Sequence, residues 1–445
     1  MTGRMPPNLL ILHCDELRHD LFRHRRYPVC HTPNLDRLIA QGTSFDQAFC
    51  QYPTCVPSRA SFITGLYPQQ LGVFHHGFTI PDAVPTLGDH LSAAGYEAVA
   101  FGRTHSQDKG FRRFPARSGK AAYGSDRPGF HADSDTITGT FRGPIEEHHD
   151  KAAALQFAQW LRRRGDERPY VAMMGFMSPH PPLYPPLEFA GRHDPDAIGL
   201  PSGFETELAA KPGKQGYLSR TRWLCHPEEV RRKIVARYLD MVEYLDTCVG
   251  DVLAAVEETG GETLIVFLAD HGEMLGEHGM IGKWFSLYDD VIRVPFLFHH
   301  PGRIPAGMAS DELVELVDLV PTLLDFAGVE IPASLPGRSL APLLRGDPLP
   351  NPRDAVFSMI ETARMIRTPE WKLAVHAGRG SRGYERSLFS DGEGELYDLR
   401  SDPGEKHNRY ADPECREIRA RLAVRLVEHE IHIQHELGQR GGNIH

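Results

Sequence analysis

The sequence predicts an α/β protein: a large, mostly parallel or mixed central sheet flanked by helices, then a smaller C-terminal α+β subdomain with an antiparallel sheet and a terminal helix. Three observations lead there. Four short apolar runs each end in polar, ligand-type residues. Amphipathic stretches and long Pro- and Gly-rich segments fill the gaps between them. Beyond a Pro-, Asp- and Asn-rich stretch at 346–353, short strand-like segments follow one another.

Taken in chain order, the run 9–12 ends in Asp15 and Glu16, and 98–101 in Arg103, Thr104 and His105. The run 171–177 ends in Pro179 and His180, and 264–268 in Asp270 and His271. Uninterrupted apolar runs suit strands buried on both faces, the pattern of a parallel sheet. Sites in open α/β sheets collect beyond the carboxyl ends of the strands, so the four ends form one predicted site. Helices are expected at 87–94, closed by Gly95, and at 318–326, closed by Gly328. A longer one is expected at 230–257, where Val235, Tyr238, Val242, Leu245, Val249, Val252 and Val256 recur at helical steps. The segments 115–147 and 184–216 are expected to be long surface loops that carry substrate selectivity. Near the C-terminus, 355–361, 365–367, 372–375 and 395–399 form the expected antiparallel set and 413–437 the final helix. The expected division is a catalytic domain at 1–348 and a C-terminal subdomain at 349–445.

The 445 residues are 41% hydrophobic and 24% charged, which excludes disorder, collagen or coiled coil as a whole-chain description. A net charge of −10 argues against a nucleic-acid or anionic-membrane partner, since phosphate backbones need a basic face. No apolar run approaches the roughly 20 residues of a membrane span, and the first apolar run is too short for a secretion leader, so a cytoplasmic location is expected. The seven cysteines are an odd number without any C-x-x-C, which disfavours a disulfide framework or a zinc ribbon.

One cysteine stands apart. Cys55-Val56-Pro57-Ser58-Arg59 opens a segment that ends in Thr64-Gly65. Pro57 suits a first helical turn, which places Cys55 just before the helix start, where free N–H groups favour an anion. Arg59, one turn on, returns to the same face. A nucleophile, an anion-receptive helix end and a fixed cation thus share five residues. The plainer alternative is a buried structural cysteine before an ordinary helix.

Cys-x-Pro-Ser-Arg followed by Ala-Ser-x-x-Thr-Gly resembles the signature of the type I, formylglycine-dependent sulfatases, which have an alkaline-phosphatase-like fold. Further stretches resemble the family in the same order: Asp15-Glu16, Ser178-Pro179-His180-Pro181-Pro182, Asp270-His271-Gly272-Glu273, Gly282-Lys283-Trp284 and Arg293-Val294-Pro295. The resemblance implies oxidation of Cys55 to formylglycine by a maturation enzyme. It implies a sulfate monoester cleaved through a covalent formylglycine sulfate. The second hydroxyl of the hydrated aldehyde then expels sulfate, an exit that a serine ester would lack. It implies one divalent metal on Asp15, Asp270, His271 and residue 55. That oxygen-rich set suits Ca²⁺ first, with Mg²⁺ or Mn²⁺ as alternatives. Glu16 stands where many members carry a second Asp, and its ligation is open. Lys283 and His180 match the sulfate-contacting pair, either of which serves as leaving-group acid, and His105 matches the histidine that assists the second hydroxyl. Arg103 departs from the usual Gly-Lys-x-His and is expected to stabilise charge rather than donate a proton. His76 is a candidate substrate contact. Two alternatives stay open: a phosphonate monoester or phosphodiester hydrolase with the same site, disfavoured by Ser58 and by Arg103-x-His105, and a catalytically silent binding protein. The organic half of the small-molecule substrate and the oligomeric state are left open.

Overall fold

A computed structural model describes residues 6–22, 26–105, 107–114, 130–133, 137–283, 286–361, 363–376 and 393–440. Trp284, most of the expected loop at 115–147 and the tail from 441 lie outside the described residues. Sixteen strands are described. Eight build the central sheet: β1 (Asn8–Asp15), β2 (Thr43–Phe45), β4 (Glu97–Gly102), β5 (Arg112–Arg113), β8 (Tyr170–Pro179), β9 (Thr263–Ala269), β10 (Phe296–His299) and β11 (Met308–Ser310). Two small ribbons flank it, β3 (Ala48–Phe49) with β12 (Val314–Glu315) and β6 (Phe130–Ala132) with β7 (Gly139–Phe141). The last four are β13 (Val356–Ile360), β14 (Ala363–Arg367), β15 (Trp371–His376) and β16 (Gly394–Asp398).

The central order is β11-β2-β10-β9-β1-β8-β4-β5. The four apolar runs are neighbours, β9-β1-β8-β4, and run parallel. Their buried, alternation-free sequences follow from helices on both faces. Leu9 to Leu12 and Leu264 to Leu268 are buried almost without exception. Because these strands are parallel and in register, Asp15, Arg103, His180 and Asp270 emerge on one edge. β10 runs antiparallel to β9 and makes the sheet mixed.

The helix Glu228–Thr259 packs across the sheet against β8 and the helix His149–Arg163. It matches the expected helix, as do Leu87–Ala93 and Leu319–Ala327. The expected loop at 184–216 contains two short helices, Phe204–Leu208 and Gly213–Leu218. Among the described residues no helix is long and apolar enough to cross a membrane.

The C-terminal sheet is a four-stranded antiparallel meander, β13-β14-β15-β16. Strand alternation gives it two apolar faces. Met365, Ala374 and Tyr397 join the main core. Ile366, Leu373 and Leu396 pack with Leu422 and Leu426 of the terminal helix Arg416–Arg440.

Candidate active site

Cys55 is the first residue of the helix Cys55–Thr64, with Thr54 as its cap and Pro57 at the third position. This corrects the expectation that Cys55 precedes the helix: the extended Thr54 takes the boundary position, three residues before Pro57. The helix ends at Gly65, whose φ of 71° is the left-handed conformation that glycine adopts without strain. Every residue of this helix is buried.

The Cys55 Sγ lies 3.2 Å from Asp15 Oδ1, 3.3 Å from His271 Nε2 and 3.5 Å from Lys283 Nζ. Residues 40, 216 and 228 positions away thus close on one sulfur. Burial, with the Asp15 charge, pushes the thiol well above its ordinary range. Such a cysteine is not a thiolate nucleophile as it stands.

Arg59 links the two aspartates. Its Nε donates to Asp270 Oδ2 at 2.7 Å and its Nη2 to Asp15 Oδ2 at 2.9 Å. Nη1 donates to the Arg103 carbonyl at 2.6 Å, which ties in a third strand end. Burial opposes ionisation of Asp15, but His180 and Arg59 outweigh it and hold the carboxyl well below the usual range. One oxygen of each aspartate is thus committed to Arg59. The other faces Cys55 and His271: His271 Nε2 is 3.6 Å from both Asp15 Oδ1 and Asp270 Oδ1. His271 Nδ1 donates to the Gly272 carbonyl at 2.9 Å, which leaves Nε2 as the nitrogen turned toward the two carboxylates. The ligand atoms of Asp15, Cys55, Asp270 and His271 all lie within 4.8 Å of one another. Two carboxylate oxygens and an imidazole nitrogen around a buried point fit a divalent cation, and an oxygen on residue 55 would complete a hard set.

Glu16 takes a different place. Its φ of 69° is a strained, left-handed conformation for a non-glycine residue. Tyr238 Oη holds that turn by donating to the Glu16 carbonyl at 2.6 Å. The Glu16 carboxyl is outside the four-residue ligand set and faces Lys283 Nζ at 2.9 Å and His180 Nε2 at 3.2 Å. His180 Nδ1 donates to the Pro181 carbonyl at 2.5 Å, so a proton must sit between His180 Nε2 and Glu16 for that contact to be favourable. Burial raises Glu16 to about 7, and burial with Lys283 lowers His180 to about 4. Burial would lower Lys283, but the surrounding negative charge raises it well above its ordinary value, so it arrives protonated.

His105 has the opposite character. His105 Nε2 stands between two groups, 3.0 Å from Arg103 Nε and 3.1 Å from Asp15 Oδ2. Burial and Arg59 lower His105 to about 4, which leaves it neutral at pH 7. Arg103 itself is half-buried. His76 is exposed at the rim, its ring 5.6 Å from that of His105.

Three residues support the site in ways the sequence did not indicate, although Ser58 and Glu273 stand inside the quoted motifs. Ser58 Oγ donates to the Asp270 carbonyl at 2.5 Å. Buried Asp150 accepts from the Met177 and Ser178 N–H groups at 2.7 and 2.9 Å and so fixes the strand end before His180. Glu273 accepts from Leu275 N at 2.9 Å and also from Gly282 N, which returns the chain so that Lys283 faces Cys55. Asp150 carries no sequence signal, and the motif positions of Ser58 and Glu273 do not reveal which backbone groups they hold.

A mixed sheet with a nucleophile-type residue at a helix start, facing acids and bases beyond the strand ends, defines an alkaline-phosphatase-like hydrolase. The chain belongs to the Sulfatase family, whose pattern matches residues 7–329, and is a sulfuric ester hydrolase. The pattern of the N-sulphoglucosamine sulphohydrolase C-terminal region also matches residues 276–432. A Δ4,5-hexuronate-2-O-sulfatase of Bacteroides thetaiotaomicron is 32% identical over 438 residues, spanning 93% of this chain and 86% of that protein. Among solved structures, a 2-O GAG sulfatase superposes with a TM-score of 0.74 at 26% identity, over 96% of this chain and 93% of that one. The phosphonate monoester hydrolase of Silicibacter pomeroyi superposes with a TM-score of 0.82 at 24% identity, over 96% of each chain, a likeness of fold.

Proposed function

We propose that the protein hydrolyses a sulfate monoester by way of formylglycine formed from Cys55 by a maturation enzyme. The observation that carries this reading is the placing of Sγ within 3.5 Å of Asp15, His271 and Lys283 at once. A divalent ion, Ca²⁺ foremost with Mg²⁺ or Mn²⁺ as alternatives, would be held by Asp15, Asp270, His271 and an oxygen of residue 55 and would supply Lewis-acid polarisation of sulfate oxygens. In the hydrated side chain one hydroxyl oxygen attacks sulfur as its proton passes to the carboxylate of Asp15, whose Oδ1 lies 3.2 Å from Sγ of residue 55, and the S–O bond to the organic group breaks. Lys283, or the proton between His180 and Glu16, protonates the departing alkoxide. His105, an unprotonated base, then takes the proton of the second hydroxyl. The aldehyde re-forms as the C–O bond to sulfate breaks, and water rehydrates it. Arg59 keeps Asp15 and Asp270 ionised, and Arg103 neutralises sulfate charge at the pocket edge. His76 stands at the rim as a contact for the organic half.

Mass spectrometry of the peptide around residue 55 and paired rates on nitrophenyl sulfate and nitrophenyl phosphonate test this reading. Replacement of sulfur and two hydrogens by one oxygen, with faster sulfate turnover, is the expected result. A converted residue with faster phosphonate turnover would move the assignment to phosphonate monoesters, and an unconverted, inactive chain would overturn it. The relative's Δ4,5-hexuronate 2-O-sulfate is the first substrate to screen.

A further inference from the structure

A second set of ligand-type side chains converges in the interior, apart from the strand-end site. Cys30, His193 and Glu243 present a sulfur, an imidazole nitrogen and a carboxylate oxygen within 4.8 Å of one another. They come from the turn before the helix Pro33–Gln41, from the loop after the cis-proline segment and from the middle of the helix Glu228–Thr259. All are nearly inaccessible, at 2%, 5% and 7% exposure.

The imidazole is aimed by a neighbour. His193 Nδ1 lies 2.9 Å from Asp240 Oδ1, one helical turn before Glu243. Asp240 accepts from Gly191 N at 2.8 Å, His193 N at 3.1 Å and Arg237 Nη1 at 2.7 Å, which keeps it an acceptor and puts the imidazole proton on Nδ1. Nε2 then faces Glu243 Oε1 at 3.4 Å and the Cys30 sulfur. Glu243 is braced from outside by His31 N at 2.9 Å and Arg192 Nη1 at 3.2 Å. Cys30 Sγ lies 4.0 Å from the Leu239 carbonyl. A carboxylate behind an imidazole that faces further ligands is the outer-shell arrangement of metal-bound histidines. The N-to-O spacing of 3.4 Å also matches the edge of a tetrahedron with bonds of about 2.0–2.1 Å to nitrogen and oxygen.

We propose that Cys30, His193 and Glu243 form a second cation site, for a borderline-soft divalent ion of the Zn²⁺ class, with Asp240 orienting the imidazole. The thiolate selects such an ion over the hard cations that the strand-end site suits. The thiol proton leaves to solvent as the metal–sulfur bond forms, and water takes the fourth position. The ion would pin the 26–31 turn and the 189–193 loop to the long helix.

The test uses the full chain carrying Cys55→Ser, so that no sulfur remains at the strand-end site. Titration with Co²⁺ is expected to give one equivalent of a thiolate-to-metal charge-transfer band, displaced by Zn²⁺. Adding Cys30→Ser abolishes the band, and His193→Gln or Asp240→Asn weakens binding by about 10- to 100-fold. X-ray absorption of the zinc-loaded Cys55→Ser protein, which leaves Cys30 untouched, is expected to show one sulfur among nitrogen and oxygen scatterers. Absence of the band, its survival in Cys30→Ser, or a zinc shell without sulfur would overturn the proposal. Those outcomes would leave His193 as an imidazolium bridging Asp240 and Glu243.

Discussion

Two buried charge clusters stand on either side of the segment 283–290, and they use similar side chains for different ends. At the strand-end site Asp15 and Asp270 share Arg59, and each keeps an oxygen turned toward Cys55 and His271. At the junction with the C-terminal sheet, Asp289 accepts from Lys372 Nζ at 2.5 Å and from Arg367 Nε at 3.2 Å. Its own N–H donates to Glu405 Oε2 at 2.7 Å, and Lys372 also lies 2.5 Å from Glu405. Lys372 further donates to the Leu287 carbonyl at 3.1 Å. Beside them Glu395 accepts from Tyr288 and Tyr397 Oη at 2.8 and 2.6 Å and meets His376 at 3.0 Å. The junction matches charge with charge, which specifies how two elements fit. The strand-end site turns carboxylate oxygens toward residue 55 and shares a proton between Glu16 and His180, which is what chemistry requires.

The sharpest way to break this comparison is at residue 55. Cys55→Ser is expected to lower kcat/KM by on the order of 10³-fold or more, to retain one sulfuryl group per chain after a single turnover, and to leave the melting temperature almost unchanged. A melting shift as severe as the activity loss would make the site structural. At the junction the order reverses. Asp289→Ala strands Lys372 and Arg367 and is expected to cost about 3–5 kcal/mol of stability, read from denaturant midpoints, with a smaller loss of kcat in the protein that remains folded.

The same pair carries a pH signature. Burial opposes ionisation of Asp289, but Arg367 and Lys372 outweigh it and hold its carboxyl well below the usual range. The stability it contributes is therefore present above the unfolded carboxylate value of about 4 and drains away as the pH falls below that. Wild-type denaturant midpoints should drop on acidification more steeply than those of Asp289→Ala.

Chelation comes next. Removal of divalent ions should lower turnover by roughly 100-fold, several kcal/mol of charge stabilisation, and Ca²⁺ should restore it without altering the junction's acid sensitivity. Glu16→Asp withdraws the carboxyl from Lys283 and His180. It should cost about tenfold in kcat, or about 1.4 kcal/mol, and shift the alkaline limb of the rate profile. The smallest effect is expected from Arg103→Lys, about threefold in kcat/KM, because charge survives and only the bidentate fork is lost.

Much of the site was legible before the fold. Parallel strands buried on both faces must be continuous apolar runs, so Asp15, His105, His180 and Asp270 announced themselves as residues that follow such runs. The short segments at 355–361, 365–367, 372–375 and 395–399 marked the C-terminal meander, but only the structure shows that Met365 and Ala374 face one core while Ile366 and Leu373 face the other. β10 was not anticipated, because the four residues Phe296–His299 are too short to distinguish from a buried turn. Glu16 was legible as an acid but not as the partner of Lys283, 267 positions away.

What the sequence by itself determined is therefore local: which segments alternate or run apolar, where they stop, and which reactive side chains stand at the stops. Tertiary structure alone decided which stops share a cavity, which oxygen of each aspartate Arg59 occupies, and that Asp289 meets Lys372 and Glu405. The reason is range. Periodicity and capping are settled by neighbours a few residues apart, whereas a charge pair exists only when packing brings two groups within hydrogen-bond distance, and no spacing along the chain encodes that.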